Sequence, residues 1–130
     1  MKILTIDFET YYAKDYSLTK LTTEEYIKDP RFQVIGVGIK IDDGITHWHT
    51  GTHKQIHAVL NTIDWASAAL VCHNMMFDGA ILSFIFDIVP KVYFDTLCMA
   101  RAYHGTNAGG SLKALAERYQ LGQKLSLIHI

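Results

Sequence analysis

Asp7 and Glu9 stand two positions apart at the end of an apolar run that includes Ile3, Leu4 and Ile6. Side chains of a β-strand alternate faces, so the two acids project to one side. A run that is apolar on both faces suits a strand buried in a sheet. Two like charges held together there repel and lose hydration, and a divalent cation is the usual compensation. For this pair alone, a strand end with two solvated acids accounts for it as well. The segment Ala69 to Leu82 adds a third acid. Leu70, Val71 and Cys72 read as a short buried strand and His73 and Asn74 as a polar turn. Met75 onward reads as a helix with Met76, Phe77, Ala80, Ile81 and Phe84 on a broad apolar stripe. Asp78, one turn into that helix, can face the same strand end as Asn74. Alone it would pass as a helix-dipole acid worth up to about 1 kcal/mol. Beside Asp7 and Glu9 it completes a set of hard oxygen donors of the kind that hold Mg²⁺ or Mn²⁺.

The elements that must position these acids follow from the rest of the chain. Tyr11 to Lys20 reads as a polar loop, and Thr22 or Thr23 caps a short helix that stops at Asp29-Pro30. Phe32 to Ile41 is a strand in which Gly36 and Gly38 point to close backbone approach. Asp42-Asp43-Gly44 is a hairpin turn into a strand from Ile45 to Thr50. A helix from Gln55 to Asn61 turns Ile56, Val59 and Leu60 inward. There follow a strand at 69–72, a helix at 76–86, a strand at 91–94 and helices at 96–103 and 111–120. Gly105 to Gly110 is a joint, and Ser111 caps the last helix. Three hairpin-linked strands followed by a βαβ unit make a mixed α/β sheet with helices on its faces.

Four segments in order resemble the DEDD family of 3′–5′ exonucleases. Asp7-Phe8-Glu9 is similar to the family's opening D-x-E, and the stretch from His73 to Asp78 to its H-N-x-x-F-D. Phe94 to Arg101 is similar to the D-T-L-x-x-A-R stretch that follows, and Ser111 to Tyr119 to the S-L-x-x-L-A helix. The nearest flavour is the proofreading domain of phage and bacterial family A DNA polymerases. The resemblance implies a ribonuclease H-like mixed sheet with helices on both faces, incomplete at the C-terminus. It implies removal of nucleoside monophosphates from the 3′ end of single-stranded DNA, with a polymerase module as partner in the same or an associated chain. Asp7, Glu9 and Asp78 would hold two divalent cations, Asp7 bridging both. Thr10, Tyr11, His73, Asn74 and Phe77 would orient the site or touch the terminal nucleotide. Phe77 also suits the core, and Tyr12 joins Tyr11 in the loop over the site. The alternatives are an RNA or oligonucleotide exonuclease, and a ribonuclease H-like scaffold without catalysis.

The family's third motif, a Tyr or His four residues before a final Asp, has no counterpart after Gly122. Residues 1–124 are therefore expected to be a partial exonuclease domain. Leu125 to Ile130, an apolar hexapeptide matching the translated end of a sequencing adapter, is expected to be a non-native tail.

Composition is that of a globular protein: 130 residues, 49% hydrophobic and 19% charged, with a net charge of −1. The charge balance argues against an autonomous duplex binder but not against an enzyme gripping a few terminal nucleotides. No run reaches the ~18 apolar residues of a membrane span, and acids interrupt the first apolar run, so a cytoplasmic location is expected. Cys72 and Cys98 read as reduced core residues. His47, His49, His53 and His57 invite a zinc reading, but exposed histidines on a strand and a helix start are the simpler account. Asp95 is placed to cap the helix from Thr96, and the resemblance makes it a neighbour of the site. Lys113 and Arg118 suit phosphate contacts or plain solvation equally.

Overall fold

The computed structural model describes residues 1–122, so the expected tail at 125–130 lies outside the described residues. Five strands form one sheet in the order β3-β2-β1-β4-β5, with β1 Lys2–Thr10, β2 Val34–Ile41, β3 His47–Thr50, β4 Ala68–Cys72 and β5 Val92–Asp95. β1 runs antiparallel to β2 and parallel to β4, and β4 runs parallel to β5. This is the mixed α/β sheet read from the sequence. The order places the acid-bearing strand in the middle, with antiparallel β2 on one edge and parallel β4 on the other.

Alternation along β1 is strict. Leu4, Ile6 and Phe8 are buried, while Ile3, Thr5 and Asp7 on the opposite face are exposed. The buried row joins Val37 and Ile39 of β2, Leu70 and Cys72 of β4, and side chains from α1 Thr23–Lys28, α2 His53–Leu60 and the segment after α3 Met75–Ala80. Thr22 and Thr52 each close a capping box, with Glu25 and Gln55 respectively, which fixes where α1 and α2 begin. Among the described residues no helix is long and apolar enough to cross a membrane.

Three expectations need correction. The Tyr11 to Lys20 segment is not merely polar: Tyr16 is fully buried, stacks on Tyr26 at 4.5 Å and donates its hydroxyl to the Tyr26 carbonyl at 2.6 Å. The apolar stripe of the third helix breaks after Ala80, where Ile81–Ile85 forms a π-helical turn and the Phe86 N–H reaches back to the Ile81 carbonyl. Phe84 is 77% exposed, while Phe86, just past the π-helical turn, lies in the core and stacks on Phe8 at 5.7 Å. Met76, also assigned to the stripe, is 74% exposed. Finally, of the two strand glycines only Gly36 is closely approached, since a Cβ there would overlap the Trp48 ring. Gly38 has ordinary room, with Thr46 Cγ2 at 3.8 Å.

Candidate active site

β4 pairs with β1 only as far as Thr5↔Val71. Beyond it the chain turns at His73-Asn74 into α3, leaving the later N–H groups on that side of β1 in need of an acceptor. Asp78 supplies one: its Oδ1 accepts the Phe8 N–H at 2.9 Å. The carboxyl thus lies against the backbone of the residue between Asp7 and Glu9. Asp78 is 4% exposed. Burial pushes its pKa up, and the charges of Asp7 and Glu9 add to the rise; the Phe8 N–H opposes them, and the result is about 7. The three acids picked out from the sequence are therefore brought within electrostatic reach of one another.

Asp7 is exposed and Glu9 half-buried. The β1–β2 register shifts directly after Glu9, which faces Gly36 while Thr10 faces Val34. An irregularity of this kind turns the end of a strand and re-aims its side chains. Among the described residues, no three His, Cys, Asp or Glu groups gather into a ready-made coordination shell. Mutual repulsion of the acids opposes such closing. The donor set itself, three carboxylates of which one is buried, fits a hard divalent cation.

Next to Glu9 a pocket of about 230 Å³ is walled by Phe8, Glu9, Thr10, Tyr12, Ser17, Leu18, Tyr26 and Phe77. Its size and its mix of apolar faces and hydroxyls suit a flat ring. Thr10 is fixed in this wall by a 2.8 Å bond between its Oγ1 and the Tyr26 hydroxyl, which also donates to the Tyr11 carbonyl. Phe77 packs against Tyr26 at 6.0 Å and is both a pocket wall and part of the core fringe. Tyr11 is not a pocket wall; its ring stacks on Tyr16 at 6.0 Å, and Tyr12 occupies the wall instead.

His73 and Asn74 serve the frame. The two ring nitrogens of His73 lie 2.8 Å from Thr96 Oγ1 and from the Gly110 carbonyl, tying the turn to α4 Thr96–His104 and to the joint before α5 Leu112–Arg118. Asn74 is left-handed, with φ 70°, and its side chain makes no cap bond to α3. Asp95 caps α4 as expected, accepting from Leu97 N at 2.9 Å, and it also accepts from Asn74 N and Met75 N, each at 3.0 Å. Burial works against its charge, but the N–H groups of Met75, Leu97 and Asn74 outweigh burial and hold its pKa below the usual value.

Cys72 is buried beside the same acids. Burial first, then the charges of Asp78, Asp7 and Asp95, push its thiol well up, so it stays a protonated core group. Cys98, expected in the core, is exposed and donates its S–H to Asp95 at 3.4 Å, because it lies on the first turn of α4 facing the cap. His53 and His57 both pack on the Phe86 ring, His53 stacked at 4.8 Å. Arg118 donates to the Ala108 carbonyl, bracing the joint before α5.

Sequence reading missed the roles of Tyr26, Ser17 and Leu18 in the pocket and the second load carried by Asp95. The only sequence signal for Tyr26 was its aromatic character on a short helix, which says nothing of where the hydroxyl goes.

No protein-family model matches the chain, and no curated protein matches it. Solved structures do. Brucella melitensis NrnC bound to pGG is 20% identical with a TM-score of 0.67, over 95% of this chain and 55% of that one. The same protein with bound Mg²⁺ gives 20% and 0.66, over 95% and 56%. A nuclease in its apo form gives 17% and 0.69, over 98% and 56%. The chain spans about half the length of these nuclease structures. At such identities the likeness is one of fold, and the chain has the ribonuclease H-like α/β fold that these structures share with it.

Proposed function

We propose that this protein is a metal-dependent 3′–5′ exonuclease acting on short oligonucleotides. The observation that carries the proposal is the Asp78 carboxyl, seated on the Phe8 N–H and raised toward neutrality by its burial, with Asp7 and Glu9 adding to the rise. A fold has little reason to hold three acids together unless a cation or a proton is to be shared among them. Two further observations support the substrate class. NrnC, similar in fold, is bound to pGG in one solved structure and to Mg²⁺ in another. The pocket beside Glu9 has room for a single terminal base and little more.

In this reading Asp7, Glu9 and Asp78 hold two divalent cations. Bound there, the cations would supply positive charge for the attacking and leaving oxygens of phosphodiester hydrolysis. The protein's own groups do the rest. Phe77, Tyr12 and Leu18 take the terminal base, Thr10 fixes the pocket rim, and the frame built on His73 and Asp95 holds α3 in place. The chain covers about half the length of the solved structures it matches, and the activity is proposed for the whole protein.

The test uses 5′-labelled RNA and DNA oligomers of two to twenty nucleotides with Mg²⁺, and with chelator as control. Stepwise shortening from the 3′ end, fastest on the shortest oligomers and lost with chelator, is the expected result. Cleavage that continues in chelator, or that releases label first, refutes it. A second reading, proofreading within a DNA polymerase, is favoured by the four motif segments in order. Faster removal of a mismatched primer terminus than of any free dinucleotide would select it.

A further inference from the structure

α3 has only six residues, and its N-cap residue Asn74 makes no side-chain cap bond of its own. The first N–H groups of a helix without such a cap need acceptors from elsewhere. The missing acceptor arrives from a neighbouring strand. At the end of β5, Asp95 spreads its two oxygens over two helices: Oδ1 accepts from Asn74 N and Leu97 N, and Oδ2 from Met75 N and from the Cys98 thiol. Thr96 adds to the hold, with its Oγ1 between His73 Nδ1 at 2.8 Å and the Cys72 carbonyl at 3.3 Å. Two consecutive residues, 95 and 96, thus grip three consecutive residues, 73 to 75. Three residues further on, the same short helix ends its useful span at Asp78.

We propose that Asp95 is a positioning residue for Asp78: by capping α3 from β5 it sets where the Asp78 carboxyl meets the Phe8 N–H, and with it the spacing of the three acids. The inference rests on the proposed exonuclease reading only for its consequence in turnover. Its structural half stands on the hydrogen bonds alone. A carboxylate that merely capped α4 would need one oxygen and one N–H. Here two of the four contacts, from Asn74 N and Met75 N, reach back to the segment that carries Asp78. The half-buried Asp95 carboxylate accepts from four donors, whereas a serine has one oxygen and a shorter reach.

That difference gives the experiment. Asp95→Ser keeps a competent N-cap for α4 and cannot bridge to Asn74 and Met75. Hydrogen exchange is followed residue by residue in the full chain, wild type against Asp95→Ser and Asp95→Asn. The expected result for Asp95→Ser is that the Asn74, Met75 and Phe8 amides exchange about tenfold faster or more, while Leu97 and the β1–β2 ladder keep their protection. Asp95→Asn, which retains one accepting oxygen, falls between. In turnover of a short oligonucleotide, kcat drops about a hundredfold and KM changes little, as for a misplaced group outside the substrate contacts. Unchanged Phe8 protection in Asp95→Ser overturns the proposal, as does equal acceleration throughout β1 and β2, the mark of general loosening. If the whole protein degrades no oligonucleotide, the exonuclease reading fails by itself, and the exchange of Phe8 still decides the role of Asp95.

Discussion

The Asp78 carboxyl sits on the Phe8 N–H at 2.9 Å, a bond between residues 70 positions apart, where the pairing of β4 with β1 has already ended. A side chain continues what a strand began. The same bond explains how an acid can be buried here: the backbone donor offsets part of the cost of removing its charge from water.

Burial makes Asp78 a liability that grows with pH. Its carboxyl titrates near 7 in the fold against an ordinary 3.8, so between those values the native state keeps a proton that the unfolded chain has released. Its contribution to stability is therefore fully present below about pH 4 and lost as pH rises through about 7. Asp78→Asn stays neutral throughout. The variant should match wild type at pH 4 and exceed it at pH 8, by on the order of a few kcal/mol. Thermal melts of the two proteins without divalent ions measure the gap; parallel curves across that range would count against the buried charge.

Mg²⁺ or Mn²⁺ should bind more tightly as pH rises toward 8, because the proton on Asp78 competes with the cation. Asp7→Ala should weaken Mn²⁺ binding more than Asp78→Ala, and lower turnover about a hundredfold or more. Relaxation enhancement of water by Mn²⁺ reports the binding directly. Identical enhancement in wild type and Asp7→Ala would remove Asp7 from the cation site.

Tyr16→Phe and Tyr26→Phe make an informative pair. Each loses a hydroxyl bonded inside the aromatic cluster, and each should cost about 1 kcal/mol in urea unfolding. Only the Tyr26 hydroxyl anchors Thr10, so only Tyr26→Phe should raise KM for oligonucleotides by severalfold. Equal KM values in the two variants would mean that Thr10 holds its place without Tyr26.

Phe84→Gln should change stability by less than about 0.5 kcal/mol, whereas Phe86→Ala should cost about 3–5 kcal/mol. The two residues differ in exposure from 77% to 1%. Urea denaturation of both variants checks the reversal.

Much of this was legible in the sequence because it follows from period and punctuation. Alternation placed Asp7 and Glu9 on the face opposite Leu4, Ile6 and Phe8. Thr22, Ser111 and Asp95 marked three helix starts, and Asp42-Asp43-Gly44 marked the hairpin. The family resemblance, not the run of elements, implied that β4 lies alongside β1 and brings Asp78 with it. What stayed hidden depends on tertiary contacts that no local pattern encodes. Tyr16 looks like a loop tyrosine until Tyr26 is placed above it. The stripe drawn through Met76 and Phe84 fails because those two side chains face outward while Ile81 and Leu82 face the core. Asp95 reads as one cap because sequence shows only the helix that follows it, not the one it also reaches.

The central place of β1 has a consequence for how the chain is made. Its edge toward β2 can pair as soon as Ile41 has left the ribosome, since only residues 11–33 separate the two strands. Its other edge must wait for Ala68–Cys72 and then for Asp78. At roughly 5–20 residues per second the interval lasts a few seconds. During it the row Leu4, Ile6 and Phe8 has no β4 beside it, and Asp7 and Glu9 lie next to an unpaired strand edge. Charge at an open edge discourages strand-to-strand aggregation. The acids that would serve chemistry in the finished protein thus act as guardians of the nascent one.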